Sequence, residues 1–131
     1  MTRPMPRIAK NLPAPVKQRR DGMSSKHLAM IRQLPCVVSD VVGHTEAHHL
    51  LRSGEHGMGR KSSDQWAVPL SAEMHLSLHR RGDEDAWFSE RGIDGRALAR
   101  ALWAARGDLD RMRAVVFKTR QLAALKLRET A

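Results

Sequence analysis

The sequence predicts a small α+β domain in which short extended segments lead into a capped helix, with flanking helices and a disordered basic arm at the N-terminus. Three observations lead there. β-Branched and apolar residues gather in short runs over 36–51 and 66–70, punctuated by Gly43 and Pro69. Ser71 precedes a stretch with helical spacing, and the last third of the chain repeats apolar residues at helical intervals. Residues 1–20 contain Arg3, Arg7, Lys10, Lys17, Arg19 and Arg20, no acidic residue, and prolines at 4, 6, 13 and 15.

Taken in order, the arm (1–23) cannot bury enough apolar area to fold alone. It reads either as a segment that tracks phosphates or as a solvated chain end. Ser24 or Ser25 can cap a helix running to about Leu34, with Leu28, Ile31 and Arg32 spaced for one face and Pro35 as its stop. Val37, Val38, Val41 and Val42 favour extended structure over Cys36–Val42, Gly43 marks a turn, and a second extended piece covers Thr45–Leu51. Residues 52–65 (RSGEHGMGRKSSDQ) read as a long surface loop, and loops of that length inside compact domains usually carry function.

Residues 66–70 (WAVPL) form a short strand that Pro69 confines to a strand end or an edge. Ser71 caps the next helix, Glu73 sits in its favourable first turn, and Gly82 ends it after Arg81. Leu98, Leu102 and Ala105 mark another helix, and Met112, Val115, Val116, Leu122 and Leu125 mark a last one over Leu109–Arg128. One domain over 24–107 is expected, followed at 108–131 by a C-terminal helix that packs on it or extends from it. The basic polar face of that helix reads more simply as solvated than as a nucleic-acid contact.

The composition, 41% hydrophobic but only 4% aromatic with no tyrosine, calls for a modest aliphatic core. A net charge of +9 on so small a body attracts polyanions, nucleic acid first among them. Cys36 is the only cysteine, which excludes an internal disulfide and a Cys₄ zinc site. No apolar run approaches the roughly 20 residues that span a bilayer, and no secretion signal is evident, so a soluble, cytoplasmic protein with no membrane partner is expected.

Four histidines carry the strongest chemical signal. His48 and His49 are adjacent at the end of an extended run, and His75 and His79 lie one helical turn apart. Residues i and i+4 share a helix face, so both imidazoles can reach one ion. Adjacent strand residues point to opposite faces, which divides the first pair into one ligand and one base. His48, His75 and His79 then form an open three-nitrogen metal site, and His49 is free to deprotonate a water. Such a donor set suits Zn, Ni, Co or Mn better than Mg, which cellular abundance keeps in consideration. Among seven histidines, one adjacent pair and one i,i+4 pair can also arise by accident.

The run AHH at 47–49, GMGRKSSD at 57–64, VPL at 68–70 and HLSLH at 75–79 resemble the HNH, or ββα-metal, endonucleases. The stretch from about His27 to Gly107, including WFSERGIDGRALARALW, looks like the phage-type, RecA-dependent recombination-enhancement nucleases. The histidine arrangement also resembles the nuclease domains of DNase colicins. The resemblance implies a β-hairpin and helix clasping one divalent metal, with hydrolysis of a DNA phosphodiester to 5′-phosphate and 3′-hydroxyl ends. It implies His49 as general base, His48, His75 and His79 as ligands, and Asp64 as the loop residue that steadies the base. One departure stands out: where relatives often carry a zinc knuckle, this chain has Cys36, Ser39, Ser71 and Met74. Serine binds zinc weakly and methionine prefers softer metals, so no structural zinc is expected. Apolar packing of Cys36, Val38, Val68 and Met74 is expected in its place.

Arg52, Arg60, Lys61, Arg80 and Arg81 flank the expected site and would neutralise neighbouring phosphates, making binding salt-dependent and largely blind to sequence. DNA is therefore the expected partner, with a recombinase–DNA filament or phage and host recombination proteins as further candidates. Gly54, Gly57 and Gly59 read as giving the loop backbone close approach or plain flexibility. His27, His44 and His56 default to surface histidines, and Trp66, Trp87 and Trp103 to core anchors. The competing readings are a decayed, non-catalytic DNA-binding or architectural module, and a small partner protein that docks through its C-terminal helix.

Overall fold

The structure, a computed structural model, describes residues 24–51 and 63–130. The basic arm and most of the expected loop, with Arg52, Gly54, His56, Gly57, Gly59, Arg60 and Lys61, lie outside the described residues. The described chain is mixed α+β: helix α1 (Ser25–Ile31), strand β1 (Thr45–His49), a single 3₁₀ turn (Asp64–Trp66), strand β2 (Ala67–Ser71), then α2 (Ala72–Arg81), α3 (Glu84–Glu90), α4 (Gly95–Ala104) and α5 (Leu109–Thr130). Among the described residues, no helix is long and apolar enough to cross a membrane.

Strands β1 and β2 pair antiparallel, with His48 opposite Val68 and His49 opposite Ala67. Every residue of β2 is buried, because this strand is packed by α1, α2 and α4 as well as by β1. Pro69 is tolerated there since each strand of a two-stranded sheet is an edge. Its carbonyl accepts the Val37 N–H at 3.1 Å, which fastens the preceding turn onto β2.

That turn corrects one expectation. Cys36–Val42 is not extended: Asp40 N–H donates to the Cys36 carbonyl, Cys36 N–H donates to the Val41 carbonyl, and Asp40 adopts φ 63°. The four valines favour a strand, but among the described residues the segment's backbone pairs with β2 only at the Pro69 carbonyl, and it folds back on itself. Cys36 is fully buried and its sulfur accepts the Ser39 N–H at 3.4 Å. Burial pushes its thiol upward, yet the Ser39 hydroxyl and the backbone N–H groups of Ser39, Ser71 and Val38 outweigh that and leave it below the ordinary value. Val38 and Met74, expected to pack beside it, are partly buried and packed against the core that contains Cys36 and Val68.

The helices start and stop where short polar side chains and glycine dictate. Ser24, Ser71, Asp83 and Asp94 each accept the backbone N–H three residues on, and Asp108 does the same at the start of α5. Gly82 closes α2 in the left-handed conformation, φ 77°. Helix α1 stops at Ile31 rather than near Leu34; Leu34 is buried in the following turn, where its carbonyl accepts the Thr45 hydroxyl at 2.6 Å.

Leu98, Leu102 and Ala105 face the core as their spacing predicts, and Met112 and Val116 bring α5 against α4. Leu122 and Leu125, which share the helical spacing that marks this helix, are exposed, and Ala123 is the buried residue of its last turns. The backbone of α5 at Ala123 passes so close to Gly92 that a Cβ on residue 92 would stand 2.9 Å from the Ala123 carbonyl oxygen. Trp87 is the buried aromatic anchor, its indole N–H donating to Ser77 and its face covered by the Arg91 guanidinium at 3.9 Å. Trp66 and Trp103 are half-buried.

Candidate metal centre

The register of the hairpin sorts the adjacent histidines onto different sides. His48 is buried, with only 3% of its side chain exposed, whereas His49 keeps 34% of its side chain accessible. Directly beyond β2, the Ser71 cap fixes the start of α2, which sets the rotation at which His75 and His79 project.

His48, His75 and His79 come together. His75 Nε2 lies 3.1 Å from His48 Nδ1 and 3.1 Å from His79 Nε2, and the three candidate ligand nitrogens all lie within 4.8 Å of one another. The ring is graded in burial, from His48 inside through half-buried His75 to exposed His79, so the cluster opens to solvent on one side. A neutral imidazole has one N–H and one lone pair, and a proton on His75 Nε2 can bridge well to only one of its two neighbours. One divalent cation satisfies all three nitrogens together, so the donor set fits the metal that the sequence suggests. Imidazole donors accord with Zn, Ni, Co or Mn and less well with Mg.

Two carboxylates that sequence reasoning missed hold this ring. Glu84, in the first turn of α3, brings Oε1 to 2.6 Å from His48 Nε2, and its Oε2 accepts the Leu51 N–H at 3.0 Å. Glu46 Oε2 stands 3.4 Å from His75 Nδ1. The Phe88 ring backs His48 with centroids 6.5 Å apart. Glu46 lies two positions before His48 on the same strand face, which is a sequence signal; Glu84 lies 36 positions on and gives none.

His49 belongs to a second, adjoining unit. Its Nε2 is 2.8 Å from Asp64 Oδ1, and Asp64 Oδ2 accepts the Ser24 N–H at 2.8 Å. Asp64 is buried at the 3₁₀ turn before β2, so the α1 cap and the end of the loop jointly hold the carboxylate against the imidazole. A His49 Nε2–H donating to Asp64 puts the ring's lone pair on Nδ1, the arrangement a proton acceptor needs.

His27, expected at the surface, is 2% exposed, with neither ring nitrogen hydrogen-bonded among the described residues. It packs edge-on against Trp103, centroids 5.0 Å apart. Burial holds its pKa below the ordinary 6.5; Asp64 pulls the other way and Arg106 adds to the lowering. His44 is exposed as expected. Of the basic residues described, Arg80 is exposed, while Arg81 is in an ion pair with Glu90 at 2.9 Å.

The family model described as "Protein of unknown function (DUF968)" matches residues 12–106. The chain is also similar to the uncharacterized protein YdfU of Escherichia coli (strain K12), at 30% identity over 87 residues, which make up 65% of this chain and 25% of that protein. The chain therefore spans about a quarter of that relative's length. No solved structure matches it.

Proposed function

We propose that this chain, which belongs to the DUF968 family of proteins of unknown function, is a metal-dependent DNA endonuclease with a ββα-metal core of the HNH type. The observation that carries this reading is the adjacency of two units: a cluster of three imidazole nitrogens, and beside it, one residue along the strand, a solvent-accessible histidine held by a buried aspartate. A site built only to stabilise a fold uses the first unit and has no need of the second.

In this reading His48, His75 and His79 would hold one divalent ion, which when bound would supply positive charge against the negative charge that grows on the phosphodiester. His49 Nδ1 takes a proton from a water as the water oxygen bonds to phosphorus. The phosphorus–O3′ bond breaks, and the departing oxygen collects a proton from solvent, giving 5′-phosphate and 3′-hydroxyl ends. Asp64 fixes the direction of the His49 ring and stabilises the imidazolium that forms. Arg80, together with Arg52, Arg60 and Lys61, contacts flanking phosphates without reading bases.

The test is cleavage of supercoiled plasmid and of single-stranded DNA with Mg, Mn, Ni or Zn. Wild type should cut with at least one of these ions, and His49→Ala should not. A protein that binds DNA and metal yet cuts with none of them, under conditions where its fold is intact, is the non-catalytic module instead.

A further inference from the structure

Glu84 sits where it can decide which nitrogen of His48 is offered to an ion. An imidazole in its neutral form carries its proton on one nitrogen, and the partner of that N–H fixes which nitrogen keeps the lone pair. His48 Nε2 faces Glu84 Oε1 at 2.6 Å, and both side chains are buried, 3% and 6% exposed. A carboxylate only accepts, so the Nε2 it faces must be the protonated nitrogen and Nδ1 the one with the lone pair. Nδ1 is the atom that points at His75 Nε2, 3.1 Å away. Glu84 cannot turn freely, because its other oxygen is committed to the Leu51 N–H at 3.0 Å.

The geometry points to Glu84 as the positioning residue of the metal centre: it locks buried His48 in the Nε2–H form, so that Nδ1 is the ligand. The inference rests on the metal reading above for its purpose, though not for its chemistry. The Leu51 contact adds a consequence. Leu51 is the last described residue before Arg52, so one carboxylate holds both the buried His48 and the backbone two residues beyond His49.

Glu84→Gln is the informative variant because its carboxamide has one donor end and one acceptor end. The Leu51 N–H can only donate and so claims the carboxamide oxygen, which leaves the NH₂ group facing His48 Nε2. That pairing is satisfied only if the His48 proton moves to Nδ1, into the ion's place. The fold is kept and the ligand is blocked.

Long-range ¹H–¹⁵N correlation spectra of the metal-free protein at pH 8.5 read the tautomer directly, and calorimetric titration with Zn²⁺ and Ni²⁺ reads affinity. Wild type should show His48 protonated on Nε2 alone. Glu84→Gln should show the proton on Nδ1, unfold at nearly the wild-type temperature, and bind both ions about 10- to 100-fold more weakly, the usual effect of losing such a partner. A wild-type His48 with a proton on Nδ1, or a Glu84→Gln variant that binds ions as tightly as wild type, overturns the assignment. Should wild type show the expected tautomer but bind neither ion, the metal reading fails while the role of Glu84 in fixing the His48 proton stands.

Discussion

Asp64 Oδ1 lies 2.8 Å from His49 Nε2, and the aspartate is itself held by the backbone N–H of Ser24, 40 residues earlier in the chain. On the proposed nuclease reading, a base oriented this firmly should lose efficiency in two steps. General base assistance is worth about 10²- to 10⁴-fold, so His49→Ala should lower kcat by that much. Asp64→Ala leaves the imidazole present but undirected and should cost less than His49→Ala. Neither change touches a ligand, so the affinity for Zn²⁺ or Ni²⁺ measured by calorimetry should stay within a factor of about two to three of wild type, the usual context spread.

Arg80 and Arg81 are neighbours in sequence but differ in what they can offer a phosphate. Arg81 is already paired with Glu90, which raises its pKa further, while Arg80 is exposed. Each phosphate neutralised contributes about 0.9 to the slope of log K against log salt. Arg80→Ala should reduce that slope by about this amount in DNA-binding titrations, and Arg81→Ala should change it much less. Equal effects of the two would remove Arg80 from the phosphate-contacting set.

His27 sets an acid limit on stability. Burial disfavours its charged form, so its folded pKa lies below the 6.5 of the unfolded chain. As pH falls through 6.5, the unfolded state binds a proton that the folded ring resists, and stability drops. His27→Phe retains the edge-on contact with Trp103 and removes two unpartnered nitrogens. Thermal melts between pH 7 and 5 should therefore fall less steeply for His27→Phe than for wild type, and parallel slopes would exclude His27 as the titrating group.

Gly92 joins α3 to α4 at φ 73°, and a Cβ there would stand 2.9 Å from the Ala123 carbonyl of α5. Gly92→Ala must both strain the turn and push α5 outward, at a cost of at least about 1–3 kcal/mol. Gly43, also at positive φ, has nothing within 4 Å of a built Cβ, so Gly43→Ala incurs the conformational strain alone and should cost less in urea denaturation.

The parts of the site that follow local rules are legible in the sequence. Ser71 followed by HxxxH fixes α2 and its two histidines, and strand alternation separates His48 from His49. Asp64 came from the resemblance to HNH nucleases, and the geometry brings it to His49. What was missed depends on distant chain segments. Glu84 sits in an acidic DED run that looks like an ordinary helix start, and only the packing of α3 behind β1 brings it to His48. His27 carries the polarity of a surface residue and is buried where α1 packs on the hairpin and the 3₁₀ turn, with the Trp103 ring edge-on against it. The valines of 36–42 have strong strand propensity, but the chain reverses there and, among the described residues, meets β2 through a single backbone hydrogen bond to Pro69.

The proposed function needs three imidazoles to hold an ion and a fourth to accept a proton. The most direct test is the rate of plasmid nicking against metal concentration for wild type, His49→Ala and His75→Ala. Wild type should show a saturable rise, His75→Ala should need far more metal to approach it, and His49→Ala should stay near background at saturation. Full activity of His49→Ala at saturating metal, or nicking by wild type that persists after chelation, would contradict it.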